Sequence, residues 1–224
     1  MRAAGVCGPY KVMQSNAKVM TRDTNGKRSA EQHDAIGAIR RSSFMNGIIL
    51  YGSRYGASQQ YAQALEGRTG LPAVSYNEIK DFSPFDTIVY IGGVYAGRTL
   101  GLAKTVRRLP TDHPFRLLVA TVGLSDPSKE DSMLNIREHL AEELTPAIFI
   151  RTAHVHLRGA MDYSILQPKD KLMMKGFCTI LRRQPVHERS AETQAILDGY
   201  GKAVDYIDFD ALRPIQEWLE SGSK

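Results

Sequence analysis

The run Gly47-Ile48-Ile49-Leu50-Tyr51, passing through Gly52 into Ser53-Arg54-Tyr55-Gly56-Ala57-Ser58, decides the fold. An apolar, β-type run empties into a loop bearing glycine and hydroxyls, and a helix-like segment follows from Gln59 to Leu65. The first backbone N–H groups of a helix lack intrahelical partners, and the helix dipole favours an anion beside them. Ser53 and Ser58 add side-chain hydroxyls, and Gly56 allows a tight turn. The stretch reads either as a phosphate-holding strand–loop–helix or as an ordinary βα turn capped by serine.

Working outward, β and α signals alternate from Met45 onward. Strands are expected at 46–51, 73–76, 86–92, 115–122 and 147–157, and helices at 58–68, 100–109, 130–144, 168–183, 190–204 and 209–220. Asp86–Gly92 and Phe115–Thr121 are nearly continuous apolar runs, the pattern of strands buried on both faces of a parallel sheet. Strands separated by helices imply a doubly wound, five-stranded parallel sheet in three α/β/α layers, with ligands past the carboxyl ends of the strands. Two more Gly-bearing, uncharged segments lie on that rim. Gly93-Val94-Tyr95-Ala96-Gly97 follows the third strand, and Thr121-Val122-Gly123-Leu124 ends the fourth. Three such turns converging suit a ligand with one phosphate end and one flat apolar end, on which Tyr95 could stack.

Of the 224 residues, 1–44 hold eight Lys/Arg against three Asp/Glu, which accounts for the whole formal charge of +5. The rest is neutral overall, so the basic balance does not argue for nucleic acid as a partner. This tail is polar and aperiodic and is expected to be a disordered extension of a domain spanning 45–224. Arg40-Arg41-Ser42-Ser43 also suits a mitochondrial-type presequence, against which the tail's acidic residues argue. No apolar run approaches the ~20 residues that span a bilayer. Cys7 and Cys178 lack metal or CxxC spacing, which fits a reduced, cytoplasmic setting.

These residues resemble a flavodoxin domain. Its T-x-T-G-x-T loop is matched by Ser53-Arg54-Tyr55-Gly56-Ala57-Ser58, with Tyr55 in place of the middle hydroxyl. The resemblance covers roughly 45–220 and implies FMN. The phosphate would lie in the 53–58 loop and the isoalloxazine between the 92–98 and 121–124 loops. Gly159-Ala160-Met161-Asp162-Tyr163 and Lys169-Asp170-Lys171-Leu172-Met173-Met174-Lys175 further resemble the flavodoxin-type menaquinone-dependent protoporphyrinogen IX dehydrogenases. Between them, Ser164-Ile165-Leu166-Gln167-Pro168 departs from that family's Arg- and aromatic-rich stretch. The resemblance implies an FMN oxidoreductase of heme biosynthesis, with a porphyrinogen substrate and a quinone acceptor. A carrier module docking on redox proteins, or a fold that has lost FMN through Tyr55, are the competing readings.

Arg98, Lys104, Arg107 and Arg108 read as a solvated basic face. The 168–183 helix reads as a lid with its charges outward; its alternative is a basic amphipathic helix at the inner face of the cell membrane. Cys178 reads as a buried apolar residue. His154 and His156 share a strand face, but no third metal ligand accompanies them. There is no GK[ST] loop and no G-x-G-x-x-G fingerprint after the first strand, and no acidic cluster of the receiver type.

Overall fold

The computed structural model describes residues 46–95, 97–111, 113–189 and 191–222. The expectations for residues 1–44, for Ala96 and for Asp112 lie outside these. The sheet is built from β1 (Gly47–Gly52), β2 (Ala73–Ser75), β3 (Thr87–Tyr95), β5 (Arg116–Gly123) and β6 (Thr152–Arg158), all parallel, in the order β2-β1-β3-β5-β6. This is the flavodoxin-like order expected from the alternating pattern. A two-residue strand, β4 (Arg98–Thr99), turns back antiparallel on the end of β3.

The near-continuous apolar runs follow from burial on both faces. Ile48, Leu50, Ile88, Tyr90, Leu117 and Val119 point to one side, where α2 (Leu102–Val106) and α3 (Glu130–Glu143) cover them with Leu102, Ile136 and Leu140. Their neighbours Ile49, Val89, Ile91, Leu118 and Ala120 point to the other. There α1 (Ala57–Thr69) and α7 (Arg213–Ser221) supply Tyr61, Leu65, Ile215 and Leu219. Each such aliphatic side chain contributes about 1.5–3 kcal/mol on burial, which fixes the register of every strand.

Between β6 and α7 the chain makes an excursion. It leaves through β7 (Ala160–Asp162), forms α5 (Pro168–Arg182) and α6 (Ala191–Gly199), and returns through β8 (Ala203–Asp205), which pairs antiparallel with β7. Several expected boundaries are corrected here. The apolar run after Thr145 begins with Pro146, which starts the one-turn helix α4 (Pro146–Phe149), so the strand expected at 147–157 opens only at Thr152. The helix expected at 100–109 is confined to α2. That expected at 190–204 ends at Gly199, before Gly201 at φ 81° and strand β8. The segment at 209–220 divides into a 3-10 turn, Phe209–Leu212, and α7.

Candidate functional site

Register brings the carboxyl ends of the sheet level, with Gly52 beside Gly92, Gly93 beside Val122 and Gly123 beside Arg158. At Gly56, φ 98° turns the loop into α1, and its N–H donates to Ser53 Oγ at 3.1 Å. No side chain caps α1, so its first N–H groups are left without a side-chain partner. The buried Ser58 lies beside them. A Cβ on Gly93 would stand 3.3 Å from Ser58 Oγ and 3.6 Å from the Gly52 carbonyl oxygen, so a side chain there would crowd Ser58 at the floor.

A cavity of about 150 Å³ opens on this rim. Of the residues singled out in the sequence, Ser53, Arg54, Tyr55, Ala57 and Ser58 line it from the first loop, Gly93, Val94 and Tyr95 from β3, and Val122, Gly123 and Leu124 from β5. Gly56 acts through the backbone turn behind it. Gly97 faces a second cavity instead. Thr121 is a correction: it is buried within β5, and its hydroxyl is paired with His156 Nδ1 at 2.8 Å, so it does not line the rim. The expected 92–98 loop is also tighter than anticipated, because β3 continues through Tyr95 and reverses into β4.

The excursion roofs the cleft, with Gly159, Met161, Leu166, Asp170, Met173 and Met174 completing the wall. Asp170 has only 3% of its side chain exposed and holds three partners: the Tyr55 hydroxyl donates to Oδ2, the Tyr95 hydroxyl to Oδ1, and the Arg54 guanidinium pairs at 2.9 Å. Burial alone would push this carboxyl up. The two hydroxyls and Arg54 outweigh it and hold the group below its ordinary range. Burial and the Asp170 contact raise Tyr95 to about 12. The Tyr55 substitution thus has a positive role, since it ties the phosphate-type loop to the roof. Tyr95 meets Arg54 on its ring face, at 4.6 Å from the centroid, and anchors the roof through its hydroxyl. Asp170 carried no role in the sequence reading. Its signal was a lone acid among Lys169, Lys171 and Lys175 at the start of an amphipathic helix.

A second cavity of about 580 Å³ shares Val94, Gly123, Leu124, Met161, Met173 and Met174 with the first. Phe177, Leu181 and Ile196 make it largely apolar, and Asn135, His139 and His156 bring a few polar groups to its wall. Among the described residues no cluster of three or more His, Cys, Asp or Glu could hold a metal. His154 stacks on Phe149, centroids 4.7 Å apart, and burial followed by the Arg137 charge lowers its pKa. Cys178 is fully buried, with its thiol pushed up by burial. Arg98, Lys104 and Arg107 are exposed, whereas Arg108 is half-buried with its guanidinium 5.1 Å from the Phe82 centroid.

Comparison with curated proteins gives no match. The flavodoxin domain family matches residues 48–185, from β1 to just past α5. That span is more than half of the chain and contains the whole sheet and the glycine-bearing rim. The chain therefore belongs to the flavodoxin domain family, whose domain implies flavin binding and redox function.

Proposed function

We propose that the chain is an FMN-dependent oxidoreductase that oxidises a flat, largely apolar substrate of the porphyrinogen type and delivers the electrons to a quinone, as in heme biosynthesis. The residues present suit FMN. The α1 N-terminus is uncapped, Ser53 and Ser58 bring hydroxyls, and Arg54, paired with Asp170, lines the same loop. Gly93 leaves space that a Cβ would fill. Ser53, Ser58, Arg54 and the α1 N–H groups would hold the phosphate, and Gly93, Val94, Gly123 and Leu124 would border the ring. When bound, the flavin supplies hydride and electron transfer. The chain's own residues position and shield: Met173, Met174, Phe177 and Leu181 exclude water from the larger cavity, where Asn135 and His139 can orient polar edges of a substrate.

The observation that carries this reading is the second cavity itself. A carrier needs only an exposed ring edge, whereas a roofed apolar space of about 580 Å³ adjoining the rim falls within the range of small-molecule sites. Resemblance of the 159–163 and 169–175 segments to the protoporphyrinogen dehydrogenases supplies the substrate class. Leu166, buried in the cleft wall, stands where that family carries its Arg- and aromatic-rich stretch. The test is the visible spectrum of the purified protein, then turnover of reduced porphyrin with menaquinone. Flavin bands at about 450 nm, from a flavin that heat releases, and menaquinone-dependent turnover are expected. Flavin without turnover but with rapid reduction by a reductase would favour a carrier. A folded protein that stays colourless after soaking in FMN would end the flavin reading.

A further inference from the structure

The outward face of α5 is unlike the rest of the surface. Ten large hydrophobic side chains stand exposed among the described residues, and five of them fall within 165–186: Ile165, Leu172, Phe177, Ile180 and Val186. Leu172 is 71% exposed and Ile180 62%. They sit at i and i+8 with Gly176 between them, so they form one line along the helix. The one acid of α5, Asp170, is turned inward and held by Arg54, Tyr55 and Tyr95. Lys169, Lys171, Lys175 and Arg182 are exposed beside the apolar line, and Arg183 follows. No described helix is long and apolar enough to cross a membrane.

We infer that α5 docks the protein on the surface of a bilayer containing anionic lipids, with Leu172 and Ile180 entering the acyl boundary and the Lys/Arg heads at the phosphate level. A helix with protruding aliphatic side chains, flanked by long basic ones and bare of exposed acids, has the composition of an in-plane interfacial helix. Charge complementarity selects anionic headgroups. An acidic protein partner would meet the lysines but leave isolated, convex aliphatic knobs without a matching recess, whereas lipid tails accommodate them without shape complementarity. The opposite face of the same helix roofs both cavities through Met174, with Met173 on its flank. Docking would therefore set the larger cavity beside the membrane surface. The inference does not depend on the redox reading, because lipid binding is measured without turnover.

The test is sedimentation of the full chain with vesicles of phosphatidylcholine alone or with about one-third phosphatidylglycerol, at low and high salt. Retention on the anionic vesicles, falling with salt, is expected. L172E/I180E should lower it more than about tenfold, and K171E/K175E should lower it and flatten the salt dependence. All four side chains are exposed, so both variants should keep the wild-type circular dichroism spectrum. Absence of binding to anionic vesicles would overturn the proposal. So would unchanged binding of L172E/I180E, which would assign the attraction to the basic residues 1–44. A dimer that L172E/I180E dissociates, without lipid binding, would make the stripe a self-association surface and also overturn it.

Discussion

Tyr61 gives the sharpest test of how the roof is attached. Its ring is fully buried in α1 and packs edge-on against Phe209, centroids 5.7 Å apart. Its hydroxyl donates to the Arg158 carbonyl at 2.7 Å and accepts the Asp208 N–H at 2.9 Å. Those two residues flank the excursion, one at the end of β6 and the other after β8. Tyr61→Phe keeps the packing and deletes both bonds. Each neutral hydrogen bond contributes about 1 kcal/mol net, and the N–H of the exposed Asp208 can turn to water once the hydroxyl is gone. A loss of about 2 kcal/mol is therefore expected, or roughly 4–8 °C in Tm for a domain of this size. Urea unfolding measures it, and amide exchange should accelerate in α5 and β8 before it does in β3 and β5. A loss below about 0.5 kcal/mol would refute the reasoning, since the two backbone groups would then have other partners.

Two further outcomes concern the cleft. Gly93→Val places a Cβ 3.3 Å from Ser58 Oγ and adds two methyls toward the rim, so it should abolish flavin retention while urea unfolding stays cooperative; retained flavin absorbance would contradict the assigned floor. The Asp170 contact should be insensitive to pH over a wide window. Its carboxyl lies below the ordinary 3.8, so the stabilisation is complete above that value and is lost only as the pH falls through the depressed one. Tyr95, raised to about 12, keeps its proton through pH 10, and the contact is lost as the pH rises past 12. Intrinsic-rate-corrected amide exchange of α5 should then stay flat between those limits and be faster in Asp170→Asn throughout, whereas equal rates in the two proteins would discount the latch.

The sheet was legible because burial on both faces leaves long apolar runs, and Gly52, Gly93 and Gly123 mark where the strands end against a rim. Elsewhere the relevant partners are distant in sequence. β8 is three residues long and exists by pairing with β7, some forty positions earlier, so no local periodicity announces it. Tyr55 looked like a lost hydroxyl because its partner, Asp170, is 115 positions away. Thr121 falls near the end of an apolar run and so reads as a rim residue, but β5 continues to Gly123 and turns Thr121 toward His156. The α5 helix was expected as a lid or as a membrane-facing helix. Its inward face is a lid, and its outward face still leaves Leu172 and Ile180 uncovered.

The excursion from Gly159 to Tyr206 departs and rejoins at adjacent points: the Tyr206 N–H donates to the Gly159 carbonyl at 3.1 Å, and β7 pairs with β8 just beyond. Such a geometry behaves as a cassette. Its interior can be lengthened, trimmed or exchanged without moving the strands that end in the first loop, because the two splice points remain fixed neighbours. A graft between Gly159 and Tyr206 is thus the natural unit for changing what this scaffold admits, provided that it keeps an acid at position 170 for Arg54, Tyr55 and Tyr95.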